Sequence, residues 1–351
     1  MPSRRAFVAG VMAAGLMPRP SWAEAGNPAL LSAAQTPNGR FVLCGLGSDG
    51  ALRFQLPLPA RGHAAAAHPD QPLAVAFARR PGRFAIVLDC RDGRETARLQ
   101  APEGRHFYGH GVFSADGRLL FTTENDYAAA RGMVGVWDAA RGFERVREFP
   151  SGGVGPHDIK RLPGTDILVV ANGGIETHPE TGRAKLNLAT MRSNLSYLDA
   201  EGQVIEQVRL GPEHQRGSIR HLAVAGNGTV AFAMQWQGDL NSDLPLLGLH
   251  HRLASKLEMA EDTSVRATQG YLGSVAMSRD GRRTVTTSPR AGVALEFEGA
   301  RLVTRTGLAD VCGVAAADAG FTVTTGMGRV RPAVGAEVIH PLAWDNHLVT
   351  I

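Results

Sequence analysis

The feature that most limits what this chain can fold into is a hairpin that recurs at one fixed offset. Tyr108–Asp126, YGHGVFSADGRLLFTTEND, reads as two short strands, Gly111–Ser114 and Arg118–Thr123, joined at Ala115-Asp116-Gly117. Asp and Gly accept the positive φ that such a turn requires. The same unit returns along the chain. His63 leads to a turn at Pro69-Asp70, His110 to Asp116-Gly117, His157 to Pro163-Gly164, His221 to Asn227-Gly228, Ser274 to Asp280-Gly281 and Cys312 to Asp318; each turn begins six places after its leading residue. The leading residues stand roughly 40 to 65 apart, the spacing of β-propeller blades of the WD40 or YVTN-like kind. A propeller sets the innermost strand of each blade against a central channel. The leading positions are then expected to form a ring at one mouth of it.

The blade count comes from the two ends of the chain. Ala29–Ala34, Phe41–Leu46 and Leu52–Leu56 read as the second, third and fourth strands of a blade that lacks its first. His347–Ile351 is a short apolar strand led by a histidine, and placing it beside Ala29–Ala34 completes that blade and removes an open sheet edge. The expectation is an all-β fold: a seven-bladed β-propeller closed by pairing of N- and C-terminal strands in one blade, with little helix because no stretch sustains a helical period.

Residues 1–25 read as a twin-arginine signal peptide, with Arg4-Arg5, a weakly apolar stretch to Met17 and small residues at Ala23-Glu24-Ala25. This leaves 26–351 as one propeller domain, periplasmic and exported already folded, with no apolar run long enough to span a membrane once the signal is removed. The full chain carries +4, and loss of Arg4, Arg5, Arg19 and Glu24 lowers this to +2. So small a balance, with no run of like charges, sets nucleic acid aside as a partner. Cys44, Cys90 and Cys312 have no zinc-type spacing, and Cys44 and Cys90 are read as buried free thiols rather than a disulfide.

The chemistry lies in the ring. His63, His110, His157, His221 and His347, with Cys312 in place of a sixth histidine and Ser274 in place of a seventh, offer imidazole and thiolate, the ligands of borderline transition metals. Fe, Cu or Zn is the cofactor such a ring would take. The second strand of each blade runs back to the same face, so Glu124, Asn125, Asp126, Asn172 and Gln235 are expected at that rim as cofactor-binding or supporting groups, with Arg79 and Ser288 beside them. Two insertions, Asn172–Asn194 and Gln235–Asp243, are candidate binding loops on a rigid scaffold. His250-His251 would point to opposite faces of a strand and receive no role. No G-x-S-x-G, H-E-x-x-H or phosphate loop occurs, so no catalytic residue is assigned. The plainer alternative is that a histidine was copied with its blade and only fills a narrow channel.

Val170–Met191 (VANGGIETHPETGRAKLNLATM), Ile219–Asp239 (IRHLAVAGNGTVAFAMQWQGD), Pro245–His250 (PLLGLH) and Trp344–Leu348 (WDNHL) resemble the bacterial family catalogued as domain of unknown function 1513, over essentially the whole mature chain. His63, His110, His157, His221 and Trp344–His347 fall within its recurrent motifs; Ser274 and Cys312 interrupt the histidines. The resemblance implies a twin-arginine-exported propeller with an accessory role in iron or other metal acquisition. It also implies imelysin-type or di-haem peroxidase-like proteins as partners, and it carries no catalytic residue. The leading expectation is therefore a non-enzymatic metal-binding or metalloprotein-binding propeller. The alternatives are a metal-dependent redox or lactonase-like enzyme at the same rim, and an interaction scaffold.

Overall fold

The computed structural model describes residues 20–80, 82–261 and 263–351. Most of the expected signal peptide, 1–19, lies outside the described residues. Of its remainder, Trp22–Ala25 forms a short 3-10 turn, and Trp22 donates its indole N–H to the His68 carbonyl at 3.0 Å.

Seven antiparallel sheets make up the molecule. Blades 1 to 6 start with inner strands Gly62–Ala67, Arg105–Phe113, Pro156–Arg161, Gly217–Val224, Ser274–Met277 and Val311–Ala317. Blade 7 takes its inner edge from the C-terminus and its other strands, Leu30–Gln35, Phe41–Leu46 and Leu52–Leu58, from the N-terminus. Each inner strand touches the next in cyclic order, and Val349–Thr350 touches the inner strands of both blade 1 and blade 6. The ring is thus a seven-bladed β-propeller. Its closing edge is not the continuous strand expected over 347–351. Ala343–Trp344 pairs with Ala34 and Gln35, and Val349–Thr350 with Leu30 and Leu31. The interruption between them holds His347.

The turns form for the reason the sequence indicates. In blade 2 the Asp116 carboxylate accepts from Ser114 Oγ at 2.6 Å and from the Arg118 amide at 3.0 Å, with Gly117 at φ +70°. Ser278, Asp280 and Arg282 repeat the device in blade 5. The inner strands are rich in alanine and glycine because blades converge toward the axis, where bulk does not fit. Between blades the core is aliphatic and aromatic, as where Phe77, Phe107, Phe113 and Trp137 join blades 1 and 2. Cys44, Cys90 and Cys312 are buried free thiols.

Trp344 joins blade 7 to blade 6, packing in one cluster with Leu30, Val42, Ala315 and Val330. We expect Trp344→Ala to lower the unfolding free energy by ~3–5 kcal/mol in denaturant titration. A loss below ~1 kcal/mol would mean that ring closure does not depend on this side chain.

Candidate metal centre

The leading residues converge because the inner strands are irregular at those positions. Pairing with the second strand shifts register between Gly62 and Ala65, between Phe107 and Gly111, between Pro156 and Asp158, and between Ile219 and His221. Each shift is a bulge at or beside a leading histidine, and bulges re-aim side chains. His347 comes from the interrupted closing edge. All five imidazoles reach the axis and pack on one another. Ring centroids are 4.4 Å apart for His63–His347, 4.7 Å for His110–His347, 4.8 Å for His157–His221, 4.9 Å for His221–His347 and 5.0 Å for His63–His110 and for His110–His157. Gly109 permits this approach: at φ +99° it lies against His63, and a Cβ there would fall 2.5 Å from His63 Cδ2.

Burial first, and the other imidazoles and cations second, hold His63, His157 and His347 well below the usual histidine range. His221 is pushed down to about 3, again mainly by burial. These four rings are therefore neutral near pH 7, and each offers a lone pair. Asp158 fixes one of them. It lies 3.1 Å from His110 Nδ1, accepts from the Ile159 and Leu222 amides and faces Lys160 Nζ at 3.5 Å. Burial raises the Asp158 pKa, but Lys160, His110 and the Leu222 amide together hold it below the carboxylate range. With Nδ1 held against this carboxylate, His110 turns Nε2, which has no hydrogen-bond partner, toward the other rings.

Among the described residues, six buried ring nitrogens of these five histidines have no hydrogen-bond partner: His63 Nδ1, His110 Nε2, His157 Nδ1, both nitrogens of His221, and His347 Nε2. Buried polar atoms are rarely left so. In each of two sets, His63/His110/His347 and His110/His157/His221, the ligand atoms lie within 4.8 Å of one another. Nitrogens sharing a tetrahedral ion at bonds of about 2.0 Å stand roughly 3.3 Å apart. Small side-chain rotations would thus bring either set onto an ion, and the residues fit a transition metal.

The cluster separates two mouths of the channel. On one side opens a cavity of about 720 Å³ touched by His63, His157 and His221; on the other is one of about 340 Å³ touched by His110, His221 and His347 together with Asp158 and Lys160. Both expected binding loops reach the larger cavity, through Thr177, His178, Arg183 and Lys185 from the first and Gln235, Trp236 and Gln237 from the second.

The remaining expected site residues divide. Gln235 and Arg79 line the larger cavity. Asn125 sits behind its wall, 3.1 Å from His106 Nε2 and donating to the Thr177 carbonyl at 3.2 Å. Ser274 lines the smaller cavity, and buried Ser288 donates to the Thr268 carbonyl. Four others are engaged elsewhere. Glu124 is buried between strands in a bidentate pair with Arg145, at 2.6 and 2.9 Å. Asp126 binds Arg131 at 3.1 Å. Asn172 is held by Ser151, Asn194 and Ser196. Cys312 lies with its Sγ 3.1 Å from the Asp310 carbonyl, outside both histidine sets, its thiol pushed up to about 12 by burial. Each of the first three finds partners within its own blade: Glu124 and Asp126 pair with arginines of blade 2, and Asn172 bonds Asn194 and Ser196 of blade 3. His250 and His251 do face opposite ways, His250 Nδ1 lying 2.6 Å from Tyr197 Oη and His251 on the surface.

Sequence reasoning missed Asp158, Tyr108 and Arg220. Each stands within two places of a leading histidine, which was the available signal. Arg220 was hidden by strand alternation, because its position in the bulge beside His221 is what turns it inward.

Fold and site together define a β-propeller with an imidazole-filled hub. The chain belongs to the family described as Protein of unknown function (DUF1513), whose model matches residues 56–351. No curated protein matches the sequence. Among solved structures the chain is similar to the crystal structure of the Myceliophteria thermophila Cps50 (Swd1) β-propeller domain. The identity is 12%, the match covers 88% of this chain and 91% of that one, and the TM-score is 0.60; the likeness is one of fold alone.

Because Glu124 is buried in its blade, Glu124→Ala should lower the unfolding free energy by ~1–3 kcal/mol in denaturant titration, since Arg145 loses its buried partner and keeps only the partly exposed Glu148, 2.8 Å away. A loss below ~0.5 kcal/mol would mean that the Glu124–Arg145 pair does not hold the blade together.

Proposed function

We propose that this protein binds a transition metal at the hub, through His110 Nε2 and imidazoles of the two sets that share it. One observation carries this reading: six buried imidazole nitrogens lack partners at a position where five blades each deliver a histidine. Channel packing alone would leave those nitrogens desolvated with no compensation, at a cost of ~1–3 kcal/mol each. The burial that keeps the rings neutral also keeps their lone pairs available, and Asp158 orients His110 as supporting carboxylates do for metal-bound imidazoles. The biological role we propose rests on what the family resemblance implies, together with the signal peptide expected from the sequence. It is that of a periplasmic accessory in iron or other metal acquisition, exported folded, with imelysin-type or di-haem peroxidase-like proteins as partners.

The larger cavity supports a second reading. It brings a small molecule within reach of three of the imidazoles, so the same centre can serve a redox or hydrolytic enzyme.

The deciding measurement is metal content of the exported protein purified without chelator, beside His110→Ala/His157→Ala, with folding of the variant checked by thermal melt. We expect one equivalent of iron, copper or zinc in the parent and none in the folded variant. Absence of metal from the parent, together with no uptake on titration, would overturn the reading whatever the variant does. A visible redox-active band, or turnover of a lactone, would select the enzyme.

A further inference from the structure

The larger cavity is more than an entrance to the histidines. Six cationic side chains line it: Arg79, Arg80, Arg183, Lys185, Arg220 and Arg290; among the described residues no Asp or Glu does. That concentration is out of proportion to a chain whose total formal charge is +4. Elsewhere on the molecule arginines find carboxylates, as Arg105 with Glu148, Arg145 with Glu124 and Arg283 with Glu296. Among the described residues, none of the six cavity cations lies within the 4.0 Å that defines an ion pair. Arg80 donates to the neutral Thr177 hydroxyl at 3.0 Å, and Arg290 lies over the Tyr271 ring. Asp345, the carboxylate whose field Arg79 feels, is itself bound to Arg61 Nε at 2.8 Å.

Donors deep in the cavity are also free. Arg220 Nε and Tyr108 Oη are buried without hydrogen-bond partners, and both line the cavity. Cations left unpaired and partly desolvated repel one another, and the uncompensated donors add a cost of their own. A ligand bearing several anionic oxygens would relieve both. Guanidinium groups suit carboxylate and phosphate through two parallel N–H···O bonds.

We propose that this cavity is a binding site for a small polyanion, a molecule carrying two or more carboxylate or phosphate groups. A volume of about 720 Å³ falls within the ~300–1,000 Å³ of small-molecule sites and exceeds what a single phosphate fills. Arg220 and Tyr108 form the floor, next to His221 and His157. Arg79 and Arg80 end the second strand of blade 1, Arg183 and Lys185 come from the insertion of blade 3, and Arg290 follows the second strand of blade 5. The site is therefore assembled from well-separated segments and depends on the closed ring. The inference concerns the cavity and stands apart from the metal reading, since the cations hold an anion whether or not the imidazoles hold an ion.

The test is calorimetric titration of the full mature chain, stripped with chelator and dialysed, against citrate, pyrophosphate and acetate. Citrate or pyrophosphate should bind with one-to-one stoichiometry, more weakly as salt is raised. Arg79→Gln and Arg290→Gln, both at the accessible rim, should each weaken binding by ~10-fold or more. Arg282→Gln, on an exposed turn outside the cavity, should leave it unchanged. Preference for citrate would identify carboxylate as the recognised chemistry, and preference for pyrophosphate would identify phosphate. The proposal is overturned if neither polyanion binds at millimolar concentration, if acetate binds as tightly as either, or if the folded Arg79→Gln and Arg290→Gln proteins bind like the parent. Because the protein is metal-free throughout, failure here leaves the metal reading intact, and an absence of metal in the purified protein leaves this one intact.

Discussion

Seven sheets can share an axis only if the strands nearest that axis carry little bulk. The requirement is met by Ala64–Ala66, Gly111, Ala223, Ala276 and Gly313–Ala316, and it governs what the hub can be. At Gly313 a Cβ would fall 2.9 Å from the Leu348 backbone nitrogen, and at Gly111 it would meet Phe77 and the Phe121 carbonyl. Channel walls so close leave no room for a row of large side chains. They do admit one side chain per blade where a bulge turns it inward. The positions that do this carry histidine in blades 1 to 4 and in the interrupted edge of blade 7, so five rings share the space at the axis.

From that confinement the electrostatics follow. Burial and mutual repulsion both oppose protonation of His63, His157, His221 and His347. They remain neutral bases. The single carboxylate admitted to the hub, Asp158, is paired on every side, with two backbone amides, Lys160 and His110. Positive charge is gathered instead at the larger cavity, which six cations line without carboxylates among the described residues. The channel thus has an ordered polarity: a cationic vestibule, a neutral donor cluster, and a narrow exit past Lys160. A polyanion in the vestibule and a metal at the hub would occupy adjoining spaces, with His157 and His221 belonging to both.

The sequence and the structure agree most closely where the information is local. Asp116-Gly117 and Asp280-Gly281 form turns because side chain and backbone specify them within four residues. The six-place offset from leading residue to turn then fixes which end of each inner strand the histidine occupies. The expected rim residues fared differently. Strand ends were assigned to the hub face by counting, yet Glu124, Asp126 and Asn172 belong to their own blades, since a partner such as Arg145 lies two strands across the sheet and nothing in the linear order announces the pair. Cys312 shares the leading position and lies in a bulge, but its thiol turns back to the Asp310 carbonyl.

What this chain determined by itself was the repeat, and from the repeat the fold, the blade count and the identity of the five hub histidines. Those rest on short-range turn chemistry and on alternation, both properties of neighbouring residues. Only the closed ring decided that the histidines touch, that six of their nitrogens are left without partners, that Asp158 and Arg220 join them, and that cations from blades 1, 3, 4 and 5 meet over the hub. Convergence of this kind is set by bulges and by the angle between blades. A one-residue insertion in a strand re-aims a side chain by a large angle, and that insertion is visible only when the partner strand is in place.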